Sequence, residues 1–271
     1  MIYIDTRDQL SLKHGVMEFL NVTEEELELV FETIDSVDEA PYDWVKKYLE
    51  DYGIDSPLEY IQMFHLTRRL NGTDLRTNNN LERLLLCKTP LSDFFKRYDV
   101  TFKKHNGHME LYYKGALQTL DDEFYAGPGN MAYIKSRLGY FDAQDYCVNG
   151  FAFRSHLEMQ SYYRSLSWSP EFVDNIGRFL EIKNMVSDYS NNSRYYCIEY
   201  LIPLSEVIFD LANPPESEIE KTIIFLINAI VRSYKDWKHA SFVCDENLIL
   251  RLDDSTDIKR DWFVNAEEID L

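Results

Sequence analysis

Only four cysteines occur in the 271 residues of this chain. Cys87, Cys147, Cys197 and Cys244 are widely separated and form no CxxC pair. That excludes a disulfide framework and a zinc ribbon, and it fits reduced thiols in a cytoplasmic protein. Glycine (10) and proline (8) are scarce too, which excludes collagen-like and linker-type chains. Long apolar runs are missing. The longest, Thr222 to Val231, is about half of the ~20 residues that a membrane-spanning helix needs, so no membrane partner is expected. The N-terminal MIYIDTRDQL carries charges where a signal peptide needs an apolar core. Positive charge is also short: 28 Lys and Arg face 47 Asp and Glu, for a net charge of −19. Nucleic acid is therefore an unfavoured partner, because it is held by Lys and Arg that displace phosphate counterions. Anionic membrane is disfavoured for the same reason.

What the chain does have is apolar and aromatic material. Hydrophobic residues make up 45% and aromatics 14%, far too much for a disordered protein. The length suits one large domain, or a medium domain with a small appendage.

Helical signals come first. Thr23 followed by Glu26 reads as a capping box, and Leu27, Val30, Phe31 and Ile34 follow at helical spacing. A second helix, Tyr42 to Tyr52, stops at Gly53, and Ser56-Pro57 ends the pattern. The pair predicts an N-terminal helical hairpin within a helical region of residues 1–58. Residues 59–271 read differently. Tyr60 to Leu66 is a candidate strand ending in a polar cluster, and Asn106-Gly107 marks a hairpin turn. Further strands are expected at Cys147–Phe153, Arg194–Ile202, Ser241–Val243, Leu248–Leu252 and Trp262–Val264. Helices are expected at Leu81–Leu86, Leu91–Tyr98, Glu158–Leu166, Phe172–Leu180 and Ile219–Tyr234, and a loop at Asp121–Asn130. Without regular βαβ alternation, this order predicts an α+β fold with a split mixed or antiparallel sheet.

Familiar chemical motifs are absent. There is no phosphate-binding GxxxxGK loop, no GxGxxG, no GxSxG elbow and no HExxH. His105 and His108 flank the Asn106-Gly107 turn and read as surface residues rather than as a metal pair. Asp253 to Asp257 lacks the glycine and glutamate of a calcium loop.

Three separated segments remain. The first is Phe64-His65-Leu66-Thr67-Arg68. The second is Asn149-Gly150-Phe151-Ala152-Phe153 with Tyr162-Tyr163 after it. The third is Asp245-Glu246-Asn247-Leu248-Ile249-Leu250. In this order they resemble the three signature blocks of the ADP-ribosyltransferase superfamily, in its histidine–tyrosine–glutamate branch of poly(ADP-ribose) polymerases and diphtheria-type toxins. Two departures stand out: Leu66 replaces a glycine, and Ala152 occupies a position where many polymerase members carry a second tyrosine.

The resemblance implies an ADP-ribosyltransferase-type sheet over residues 59–271. It also implies cleavage of the nicotinamide–ribose bond of NAD, with NAD as substrate and a protein as the expected acceptor. Bond breaking of this kind passes through an oxocarbenium-like transition state, which a carboxylate stabilises. By resemblance Glu246 is that catalytic carboxylate. His65 would hold a ribose hydroxyl, the Leu66 backbone the carboxamide, and Thr67 would add a hydroxyl. Gly150 would open the second strand, and Tyr163 would stack on nicotinamide, with Tyr162 as its neighbour in a shifted register. Arg68 would face the pyrophosphate. With water as acceptor the same residues would make an NAD glycohydrolase, and bacterial or phage conflict is a setting for either. Two other classes compete: an acidic binding protein that mimics nucleic acid, as an inhibitor or antitoxin would, and a degenerate transferase fold that binds without chemistry.

Overall fold

The structure is a computed structural model, and it describes residues 1–120, 131–141, 144–239 and 247–270. The chain is α+β, as the sequence predicts, and its described residues form a six-stranded and a three-stranded sheet.

The N-terminal region holds three helices rather than the expected pair: α1 (Gln9–Leu20), α2 (Glu24–Ser36) and α3 (Pro41–Tyr52). The α2 start is the predicted capping box, with Thr23 and Glu26 each accepting from the other's N–H. Helix α1 carries Gly15 at its centre, a residue that weakens a helical reading. The glycine is there for space, since a Cβ would lie 2.8 Å from Ile4 Cγ2.

Strand β1 (Tyr60–Leu70) is followed by α4 (Leu81–Leu86), α5 (Pro90–Lys96), β2 (Val100–His105), β3 (His108–Tyr113) and β4 (Ala116–Leu117). Then come α6 (Met131–Arg137), β5 (Asn149–Phe151), α7 (Ser161–Ser165), α8 (Glu171–Phe179), α9 (Met185–Asn191) and β6 (Ser193–Pro203). The chain closes with β7 (Val207–Phe209), α10 (Glu218–Trp237), β8 (Ile249–Leu252) and β9 (Phe263–Glu268). Two expectations are corrected. The first strand runs on through Thr67 and Arg68 to Leu70, so that block lies inside the strand and not beyond its end. The helix expected over residues 158–166 divides into a 3-10 turn (Leu157–Met159) and the short α7, because the Gln160 backbone between them is extended (φ −69°, ψ 140°). The strand expected at Ser241–Val243 and the loop at Asp121–Asn130 lie outside the described residues.

The larger sheet has the order β7-β8-β5-β1-β6-β9, and the smaller β2-β3-β4. The predicted turn joins β2 to β3 with Asn106 at φ 47° and Gly107 at φ 88°, the positive values that a two-residue hairpin needs. His105 and His108 face each other across it.

The chain resolves into two compact units, each discontinuous in sequence. Unit 1 comprises Met1–Phe64, Gly150–Ser161 and Glu199–Arg251; unit 2 comprises His65–Asn149, Tyr162–Ile198 and Leu252–Leu271. In unit 1, α1 and α3 pack on the long helix α10, whose start is a second capping box at Ser217 and Glu220. Phe31 of α2 meets Trp237 of α10 with ring centroids 5.9 Å apart. In unit 2 the core gathers Phe94, Phe95, Phe102, Leu111, Phe172 and Tyr189. Several of its ring pairs meet edge to face, as with Phe94 and Tyr189 at 5.1 Å. Among the described residues no helix is long and apolar enough to cross a membrane.

Candidate functional site

The second and third sequence blocks meet inside unit 1. Phe64 of β1 pairs antiparallel with Phe151 of β5. Gly150 lets the strands come that close: a Cβ there would stand 2.7 Å from Met63 Cγ and 2.8 Å from the Phe64 carbonyl oxygen. This glycine is required by packing. On the other side of β5, the Ala152 N–H donates to the Leu248 carbonyl at 2.9 Å. Asn247, buried, donates from Nδ2 to the Phe153 carbonyl (2.6 Å) and accepts at Oδ1 from the Phe153 N–H (3.2 Å). Glu246 and Asp245 lie outside the described residues, but the residue that follows them is fixed at both ends of its side chain.

His65 belongs to unit 2, where its two ring nitrogens are engaged. Nδ1 lies 2.6 Å from the Asn149 carbonyl oxygen, and Nε2 lies 3.1 Å from Asn78 Nδ2. A carbonyl only accepts, so Nδ1 carries the proton and Nε2 accepts from the amide. Asn78 is oriented in turn by Arg69, whose guanidinium donates to Oδ1. Burial lowers the His65 pKa to about 4, with the Arg69 charge adding to the effect. The imidazole is therefore neutral at physiological pH. Asn78 is a residue the sequence reading missed. Its side chain is buried, and its backbone carbonyl accepts from the Ile258 N–H at 2.7 Å. Nothing in its local sequence marks it as the partner of a histidine thirteen positions earlier.

The other first-block residues take different roles. The Leu66 side chain is buried, and Thr67 is half-buried. Arg68 is a clamp on backbone. Its Nε donates to Ser193 Oγ at 2.8 Å, Nη1 to the Ser167 carbonyl, and Nη2 to the carbonyls of Ser190 (2.8 Å) and Ser193 (3.1 Å). Burial lowers its pKa, since none of these acceptors carries a charge. Tyr162 is exposed, whereas the Tyr163 ring packs edge-on against Tyr195, with centroids 6.0 Å apart. The Tyr195 hydroxyl donates to the Tyr163 carbonyl at 2.8 Å, which ties α7 to β6.

A cavity of about 480 Å³ opens in unit 2 beside Arg68. Its wall includes Trp168, Ser190, Ser193, Arg194 and Glu268. Arg194 and Glu268 form an ion pair at 2.6 Å within this lining.

Unit 1 contains a second chemical cluster that the sequence did not single out. Glu199, on β6, is buried and accepts from Gln62 Nε2 at 2.7 Å. Gln62 Oε1 in turn accepts from the Thr6 N–H at 2.5 Å and the Thr6 hydroxyl at 3.1 Å. Burial raises the Glu199 pKa despite Arg7, whose Nε stands 3.9 Å away. Among the described residues, no group of three or more His, Cys, Asp or Glu side chains is arranged to hold a metal ion.

No protein-family model, no curated protein and no solved structure matches this chain.

Proposed function

We propose that the protein is an NAD-consuming enzyme of the ADP-ribosyltransferase type, acting in the cytoplasm on a protein acceptor or on water. The observation that carries the reading is strand order. Phe64 to Arg68 lie on β1, Asn149 to Phe151 on β5, and Ile249 and Leu250 on β8, and these strands are neighbours in the sheet as β8-β5-β1. Segments separated by 84 and 94 residues are thereby joined by direct bonds: His65 to Asn149, and Asn247 to Phe153. In this reading Glu246 stabilises the developing positive charge on the ribose, and Tyr163 or Tyr162 meets the nicotinamide ring. A bacterial or phage conflict role fits such an activity.

The test is incubation with NAD and measurement of released nicotinamide. The wild-type protein should release it, and Glu246→Ala should cut the rate by roughly 10²-fold or more, the usual cost of losing an electrostatic stabiliser. Absence of both release and calorimetric NAD binding would end the proposal.

One observation favours a second reading, a fold of this type that binds without turnover. Both His65 ring nitrogens are already bonded within unit 2, so holding a ribose hydroxyl would require breaking one of those bonds. NAD binding with no nicotinamide release would select this reading.

A further inference from the structure

We infer that the cavity beside Arg68 in unit 2 binds a small anionic ligand bearing a flat ring, of the nucleoside monophosphate class. The inference does not rest on NAD turnover.

The first support is charge. Arg68 is half-buried, and all its hydrogen bonds go to neutral oxygens of Ser167, Ser190 and Ser193. Among the described residues no carboxylate pairs with it. A guanidinium withdrawn from water without a counter-charge favours an anion beside it, and a phosphate fits the planar fork. Four of the five N–H donors are committed, which leaves one on Nη1.

The second support is shape. A volume of about 480 Å³ lies within the range of small-molecule sites, roughly 300–1,000 Å³, and accommodates a ring, a sugar and a phosphate together. Trp168 lines the cavity and is 63% exposed, so its indole is accessible for a base to stack on.

The third support is the remaining lining. The side chains of Asn71, Ser190 and Asn191 make no hydrogen bonds among the described residues, so they stand ready for sugar hydroxyls and phosphate oxygens. Glu268 and Asp270 add acceptors for the hydroxyl and amino donors that a nucleoside carries. Glu268 is paired with Arg194, so with Arg68 and Asp270 the lining holds two cations against two carboxylates.

The experiment is calorimetric titration at low salt with AMP, adenosine and ribose 5-phosphate. AMP should bind with a Kd below about 1 mM. Adenosine lacks the anion and ribose 5-phosphate lacks the ring, so each should bind at least about tenfold more weakly. Trp168→Ala, an exposed position that does not threaten folding, should weaken AMP by about tenfold through lost stacking. No AMP binding at several times that concentration would overturn the inference. So would equal affinity for adenosine, or unchanged AMP affinity in the Trp168 variant. Nicotinamide release reports on the NAD proposal separately. A protein that binds AMP through Trp168 yet leaves NAD intact keeps this inference and loses that one.

Discussion

Asn247 does for Phe153 what a neighbouring strand would do: its amide group supplies one donor and one acceptor to a single backbone unit. The side chain thus finishes, beyond the end of β8, the pairing that Leu248 makes with Ala152. It also fixes the chain just after Glu246. Asn247→Ala would strand a buried N–H and a buried carbonyl. We expect a loss of about 1–3 kcal/mol, measured by urea unfolding. An unchanged midpoint would show that water replaces the amide without cost.

Gly150 sits where two backbones touch. A methyl group would have to occupy space 2.7 Å from Met63 Cγ and 2.8 Å from the Phe64 carbonyl oxygen. Because the second obstacle is backbone, a rotamer change cannot relieve it. Gly150→Ala should cost about 1–3 kcal/mol by overpacking. Wild-type stability in this variant would mean that β1 and β5 can separate freely.

His65 makes the fold sensitive to acid. Its pKa is about 4 in the folded chain, against an ordinary 6.5. Between those values the unfolded chain binds a proton that the folded one refuses. Stability therefore falls as pH drops from about 6.5 toward about 4, and no further loss from this group follows below that. His65→Gln removes the titration. Denaturation series across pH 4–7 should show a steeper decline for wild type than for the variant. Parallel curves would refute the assignment.

Glu199 works in the opposite sense. Burial raises its pKa, so the folded state holds the proton more tightly than the unfolded one. Its contribution is most favourable below the ordinary carboxylate pKa and is lost as pH rises through the raised folded value. Glu199→Gln keeps an oxygen for Gln62 Nε2 and discards the buried charge. At neutral pH we expect a stability equal to or above wild type, with a flatter pH profile. A clear destabilisation at neutral pH would show that the Arg7 pair outweighs desolvation.

The sequence by itself determined the local features. The Thr23–Glu26 cap, the Asn106-Gly107 turn and the long apolar helix after Ser217 are each written within a few consecutive residues, and each forms as expected. So is the α+β class, because helical and strand periodicities alternate without a regular βαβ pattern. Tertiary structure alone decided what the block residues do. By resemblance Arg68 faces a pyrophosphate, but four of its five donors go to oxygens 99 to 125 positions away, which leaves one for a ligand. His65 reads as a ligand group, yet its ring is held by Asn78 and Asn149. Caps and turns are satisfied by near neighbours and leave a pattern in the sequence. A buried polar side chain is satisfied by whichever groups the fold brings to it, and only the folded chain selects them.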